Sequence, residues 1–267
     1  MAPTRTGNNM WDVLFLGVGE ACDEDFPNTS ALIRHPEAQA PLFLLLDCGF
    51  TVPPRLWKEV PDAAETLGAL WLSHFHGDHT MGLPVLLLRL QEEGRQRPLT
   101  ILGQAGVKRF CRSLMELAYP GFYEKLQYPV LYQELEPEAE GEWEGLALCA
   151  AETLHSQRNL ALRVGNGTPS VYYSGDGTPG PLCAALAAGC DLVIHEAFQW
   201  EERHPGHGTA RGAVTFARQC GAARLALVHM ERNERSRVAR GLADLRLEAG
   251  ESLQVLLPAP GQSVRFS

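Results

Sequence analysis

Four of the short apolar runs in this chain end on, or just short of, a residue that binds protons or metals. "ALWLSH" (69–74) ends on His74, "GLALCAAETL" (145–154) is followed by His155, "SVYYSGD" (170–176) ends on Asp176, and "RLALVHM" (224–230) carries His229. In layered α/β proteins, ligands and catalytic groups collect beyond the strand ends, at one edge of the sheets. The four runs therefore predict one shared site and restrict the fold to one that aligns those strand ends. Further strand-like runs cover 13–17, 42–49, 99–103, 160–164, 191–196 and 253–258. Helix-like segments cover 81–94, 106–119, 180–189, 209–221 and 237–250, several ended by glycine. The Pro-, Glu- and Tyr-rich stretch 119–145 reads as a connection between two halves of one domain spanning 1–267.

The densest signal is "LSHFHGDHTMGLP" (72–84), which spends three of the nine histidines on one loop. In an extended "HFH", His74 and His76 project toward one metal. The turn at Gly77 then sends Asp78 and His79 elsewhere, toward a second. Imidazole nitrogen and carboxylate oxygen suit Zn²⁺, with Mn²⁺ and Fe²⁺ as alternatives. One ion takes His74, His76 and a later histidine; the other takes Asp78, His79 and a later histidine, with a carboxylate between them. His155, Asp176 and His229 are available. Singly, these three have ordinary readings, as a solvated turn histidine, a turn aspartate and a satisfied core histidine. In order behind the loop, those readings weaken.

Composition narrows the classes. Hydrophobic residues make up 45% and charged residues 21% of the 267, which is globular composition. "PLFLLLDCGF" is too short to span a bilayer. "MAPTRTGNNMWDVLFLG" shows no apolar core with a cleavage site, so a soluble, unprocessed, cytoplasmic protein is expected. Seven cysteines without a CxxC pair suggest small buried hydrophobes in a reducing compartment. A net charge of −9 disfavours a broad nucleic-acid surface, although bound divalent metals can reverse the sign of one cleft. We read no Lys/Arg cluster interleaved with aromatics ahead of "ERNERSRVAR", which reads as the solvated face of a helix.

"HFHGDH", followed in order by His155, "YSGD", "IHEA" and "VH", resembles the metallo-β-lactamase-fold superfamily and, within it, the ribonuclease Z group of phosphodiesterases. The similarity runs from "FLGVGEACDEDFPNTSALI" through "LLDCG", "DLVIHEAF" and "HGTARGAVTFARQCG" to "LALVHM". It implies a four-layer αββα sandwich with two zinc ions at the sheet edge. His74, His76 and His155 would hold the first ion, Asp78, His79 and His229 the second, and Asp176 would bridge. A hydroxide between the ions would attack a phosphoryl group, oriented by Asp78. Asp47 in "LLDCG" would bond to a ligand histidine and fix its tautomer. In that group a Glu of "HEA" orients a His of a later "HST", which protonates the leaving oxygen. By that resemblance the pair here would be Glu196 and His207, preferred to His204 because Gly208-Thr209-Ala210 opens the next helix as the family pattern does.

Three features depart from that group. The interval from His155 to Asp176 holds two short strands and no tRNA-gripping arm, "HST" reads "HGT", and the last histidine is followed by "MERNER". The expected activity is dinuclear metal-dependent hydrolysis of a small phosphodiester or nucleotide, with tRNA ranked behind these. Hydrolysis of an ester, lactone or sulfate ester on the same fold is the alternative, and a non-catalytic binding module follows. No membrane partner is expected, and a homodimer is left open.

Overall fold

A computed structural model of the chain describes residues 11–34, 42–202, 204–250 and 252–266. The first ten positions, on which the reading of an uncleaved N-terminus partly rests, lie outside these residues. The strands are β1 (Asp12–Gly17), β2 (Ser30–Arg34), β3 (Phe43–Leu46), β4 (Leu67–Leu72), β5 (Leu99–Gly103), β6 (Val130–Glu134), β7 (Glu140–Trp143), β8 (Leu146–Leu154), β9 (Asn159–Val164), β10 (Val171–Tyr173), β11 (Thr178–Pro179), β12 (Leu192–Glu196), β13 (Arg224–Val228), β14 (Gln254–Leu256) and β15 (Ser263–Arg265). The helices are α1 (Val52–Glu59), α2 (Ala63–Thr66), α3 (Gly77–Thr80), α4 (Leu83–Glu92), α5 (Val107–Ala118), α6 (Cys183–Ala187), α7 (Ala210–Gln219), α8 (Arg235–Arg240) and α9 (Leu242–Ala249).

One sheet runs β15-β1-β2-β3-β4-β5-β6, and the other runs β11-β8-β9-β10-β12-β13-β14 with β7 added beside β8. Their central strands are buried on both faces, which requires apolar residues at every position rather than at alternate ones. "FLLL" in β3 shows how the run divides. Leu44 and Leu46 enter the core between the sheets with Trp71, Leu148, Leu162 and Ile194. Leu45 points the other way, into a second cluster with Leu56 of α1 and Leu86 of α4. On the far side, Tyr172, Val193 and Leu225 meet Val214 and Phe216 of α7 and Leu245 of α9. The result is the expected αββα sandwich.

Three local readings need revision. The stretch 119–145 carries β6 and β7, one edge strand for each sheet, as well as the connection. The single helix expected over 237–250 is broken into α8 and α9 at Gly241, where a Cβ would come within 2.1 Å of the Trp200 ring. Helix α1, unforeseen in "VPPRLWKE", places its prolines in the first turn, where no intrahelical N–H is missed. Cys48, Cys111, Cys183, Cys190 and Cys220 are buried free thiols. Among the described residues no helix is long and apolar enough to cross a membrane.

Topology positions the site. β3, β4 and β5 are parallel neighbours, as are β10, β12 and β13. Their C-terminal ends therefore share an edge within each sheet. Asp47, His74, Asp176, Glu196 and His229 all lie at or just beyond those ends.

Candidate metal centre

Asp47 organises the first loop. It has no solvent exposure, and its backbone takes a positive φ of 57°. Its Oδ1 accepts from Ser73 N at 2.8 Å, and its Oδ2 accepts from Ser73 Oγ at 2.7 Å, His79 Nδ1 at 2.8 Å and Tyr173 OH at 2.7 Å. Ser73 has one hydroxyl proton and gives it to Asp47, so its oxygen accepts from His74 Nδ1 at 3.1 Å. His155 Nδ1 donates to Gly206 O at 2.5 Å. In their neutral forms His74, His79 and His155 thus carry the proton on Nδ1 and present Nε2 as a lone pair.

Few groups around those lone pairs can donate to them: one His76 Nδ1–H can serve only one of His74 and His155, and carboxylate oxygens serve none. His76 Nδ1 lies 3.0 Å from His74 Nε2 and 3.1 Å from His155 Nε2. His79 Nε2 sits 3.3 Å from Asp78 Oδ2 and 3.4 Å from Asp176 Oδ1, and His229 Nε2 sits 3.2 Å from Asp78 Oδ2 and 3.5 Å from Asp176 Oδ2. His79 Nε2 and Asp176 Oδ1 are buried without a hydrogen-bond partner. The side chains form three overlapping sets whose ligand atoms lie within 4.8 Å of one another and that could each hold a metal ion. Two are the expected ones, His74, His76, His155 and Asp176, and Asp78, His79, Asp176 and His229; the third joins Asp176 and His229 to Glu196 and His207. Asp176 belongs to all three. Converging donor atoms of this chemistry, two of them buried without a partner, fit bound cations.

Electrostatics separates the two expected sets. Burial, reinforced by the charge of His79, lowers the pKa of His74 well below its usual value; burial and His155 lower that of His76. In the second set burial is outweighed. Asp176, Asp47 and Asp78 carry His79 well above the ordinary range, and Asp176 with Asp78 lifts His229 to about 9. Burial is likewise overcome at Asp176, held well below the carboxylate range by His229 and His79. The three carboxylates thus favour positive charge between His79 and His229, which a cation would supply.

Backbone geometry sets Asp176 in place. Gly175 and Gly177, on either side of it, have φ of 58° and 99°. A Cβ at Gly177 would lie 2.6 Å from Leu154 O. Asn159 supports the same turn, accepting from Asp176 N at 3.1 Å and donating to Ser174 O at 2.9 Å and Thr153 Oγ1 at 2.8 Å.

In the third set, Glu196 Oε2 and His207 Nδ1 are 2.9 Å apart. The other Glu196 oxygen accepts from Gly177 N at 2.5 Å and Gly208 N at 2.7 Å, and Oε2 also lies 3.6 Å from His229 Nδ1. The Phe198 ring stacks on the His207 imidazole with centroids 4.3 Å apart and planes 20° from parallel. Burial and the Asp176 charge push Glu196 well up against the opposing pull of His229 and the two N–H groups. Burial lowers His207. His204 stands exposed at the rim.

All nine residues singled out from the sequence come together, and Asp47 meets a histidine as expected. Ser73, Tyr173, Asn159 and Phe198 were not foreseen. "YSGD" already contained Tyr173, but its contact with Asp47 crosses between the sheets. The reading that no basic run is interleaved with aromatics is corrected by α5, where Lys108, Arg109 and Arg112 are exposed around Phe110. Phe110 stacks on Phe75 of the ligand loop at 4.2 Å. Nor is "ERNERSRVAR" wholly solvated: Arg235 lies 4.3 Å over the Phe26 ring and donates to Pro258 O at 2.7 Å.

Comparison with known proteins agrees with this geometry. A ribonuclease Z of Methanosarcina acetivorans is 27% identical, the alignment covering 83% of this chain and 88% of that protein. A metallo-beta-lactamase fold protein of Bacillus subtilis, YhfI, superposes with a TM-score of 0.74 at 22% identity over 96% of this chain and 100% of its own. The short form of human tRNase Z gives a TM-score of 0.73 at 24% identity over 95% and 98%. At these identities the two structural likenesses establish the fold. Residues 43–230 match the family described as the beta-lactamase superfamily domain. With its sandwich, its motif order and that match over most of its length, the chain belongs to the metallo-β-lactamase-fold superfamily.

Proposed function

We propose that this protein is a dinuclear metal-dependent phosphodiesterase that acts on a small phosphodiester or nucleotide. His74, His76 and His155 would hold one ion, Asp78, His79 and His229 the other, and Asp176 would touch both. The nitrogen and oxygen donor set suits zinc, with manganese and iron as alternatives. Two such ions would acidify water to supply a nucleophile near neutral pH and would neutralise charge growing on the phosphoryl oxygens. Asp47 and the Gly206 carbonyl keep the histidine tautomers fixed for that purpose. Asp78, within reach of both His79 and His229, is placed to orient the attacking water as well as to bind.

The pair Glu196–His207 is the observation that carries the reading. A simple alcohol leaves phosphorus poorly unless its oxygen is protonated, so a diesterase needs a positioned acid. His207 meets that need, with Nδ1 held by Glu196 and Nε2 free to face substrate. Bound cations would neutralise the Asp176 charge that, after burial, raises the Glu196 pKa, and Glu196 would then accept the hydrogen bond from His207 Nδ1 as a carboxylate. The short span between His155 and Asp176, occupied by β9 and β10, and the net charge of −9 support a small substrate over tRNA. The exposed Lys108 and Arg109 on α5 are what favours an RNA reading, along with the ribonuclease Z name of the relative.

Metal analysis of the loaded protein should give two ions per chain. His207→Ala should then slow an alkyl-leaving phosphodiester roughly 10²–10⁴-fold, and a p-nitrophenyl diester much less, because that leaving group departs unaided. Equal slowing of both substrates with metals retained removes the acid role and brings the ester or lactone alternative forward.

A further inference from the structure

The segment after His229 reads "MERNER", one of the places where this chain departs from the ribonuclease Z group, and it is bound on both sides. His229 itself takes a φ of 54°, a left-handed conformation that a residue with a side chain keeps only where its surroundings enforce it. The enforcement is visible in the backbone. His229 N donates to Val18 O at 2.9 Å, Met230 bridges to Gly19, and Glu231 N donates to Phe198 O at 2.8 Å. Val18 and Gly19 belong to the connection between β1 and β2 of the first sheet, whereas Phe198 follows β12 of the second. The segment is thus clamped between the two sheets, at the edge where the candidate ligands converge.

One side chain from each side closes the clamp. Arg232 Nη1 donates to Glu20 Oε1 at 2.5 Å. Glu20 is buried, and its other oxygen accepts from Cys22 N at 2.8 Å. The Glu20 carbonyl accepts from the Asn28 side chain at 3.3 Å, and Asn28 Oδ1 accepts from Thr51 N at 3.1 Å and Thr51 Oγ1 at 2.8 Å. Two residues before Thr51 stands Gly49, where a Cβ would come within 1.9 Å of Asp78 O. The carboxylate is therefore anchored in the packing that carries Asp78. An ion pair between two exposed side chains holds little. Here the acidic partner is buried, so losing Arg232 would leave a buried carboxylate without its cation.

We propose that the Glu20–Arg232 pair positions His229 for the second ion, by latching the chain beyond His229 to the loop of the other sheet that packs toward Asp78. Asp78 and His229 come from different sheets, so their donor atoms meet only while that edge keeps its register. The pair acts through the backbone of His229 and needs no contact with an ion-binding atom. The proposal rests on the reading that Asp78, His79 and His229 hold an ion, and it is independent of which ester is cleaved.

Removing each charge in turn separates positioning from electrostatics. By charge alone, loss of Arg232 would tighten cation binding and loss of Glu20 would weaken it. Loss of the latch weakens it in both. Glu20→Ala and Arg232→Ala should therefore each lower affinity for the zinc ion that His229→Ala loses, by about tenfold in competition with a chelator, and leave the other ion within about twofold. The double variant should bind no more weakly than the single ones, and Arg232→Lys, which keeps a charged donor in reach, should recover most of the loss. Opposite shifts in the two single variants would reduce the pair to a charge effect. Equal weakening of both ions, tracking a loss of urea stability in the chelator-treated protein, would make it ordinary scaffolding. Either result overturns the proposal, as does unchanged affinity for both ions. A wild type that takes up only one zinc ion removes the two-ion reading itself, and the role of the pair falls with it.

Discussion

Replacing Asp47 with Asn should show how far one buried carboxylate holds the site. The native side chain accepts four hydrogen bonds: one on Oδ1 from Ser73 N, and three on Oδ2 from Ser73 Oγ, His79 Nδ1 and Tyr173 OH. An amide offers one acceptor oxygen and one NH₂ group. With the oxygen in the Oδ2 position, the NH₂ group confronts the Ser73 N–H; with the amide flipped, it confronts three donors. Either way a buried donor is left unmatched, at about 1–3 kcal/mol, and the remaining contacts lose their charge assistance. A total of about 3–5 kcal/mol is expected, a large share of the ~5–15 kcal/mol that holds a typical domain folded. Urea unfolding of chelator-treated protein reads this cost without any contribution from bound ions. His79 loses its tautomer-fixing partner and Ser73 its acceptor, so ion affinity should also fall about 10–100-fold. Should Asp47→Asn prove too unstable to purify, Ser73→Ala keeps the carboxylate and should cost about 1–2 kcal/mol. An Asp47→Asn protein that unfolds within about 0.5 kcal/mol of wild type and binds ions equally well would falsify the central role given to this residue.

Two further outcomes follow from the same geometry. Glu196 Oε2 lies 2.9 Å from His207 Nδ1 and 3.6 Å from His229 Nδ1, so Glu196→Gln should lower occupancy of the second ion as well as slow alkyl diesters, whereas His207→Ala should leave both ions bound; metal analysis of the two variants distinguishes them. Burial holds the pKa of His195 down to about 4 from an ordinary 6.5, while its Nδ1 donates to Glu196 O at 2.8 Å. The unfolded chain therefore takes up a proton between those pH values that the folded chain refuses. This contribution to stability is complete above pH 6.5 and is lost as pH falls toward 4; urea titrations of wild type and His195→Phe should differ in slope across that window and run parallel above it.

How much of this was legible in the sequence depends on where each partner sits along the chain. His74, His76, Asp78 and His79 are local, and their spacing alone limits where the side chains can go. His155, Asp176 and His229 were legible because apolar runs precede them, and parallel strands bring such ends to one edge. What escaped needed a partner from another layer. Tyr173 reaches Asp47 across the core between the sheets, at a sequence separation no local pattern records. Phe198 stacks on His207 only because the loop after β12 lies against 207–209, joined through the bridge between Gln199 and Thr209. The edge strands β6 and β7 lacked the continuous apolar signal of the buried strands, since an edge strand packs on fewer sides, and so they read as connection. Lys108, Arg109 and Arg112 stood in plain view, yet net charge concealed them: a total of −9 averages over a surface, whereas a substrate meets only the face beside the cleft. That face, with Phe110 stacked on Phe75 of the ligand loop, is where a longer nucleotide chain would meet positive charge, so substrate length is read by the charge beside the cleft and not by the charge of the whole chain.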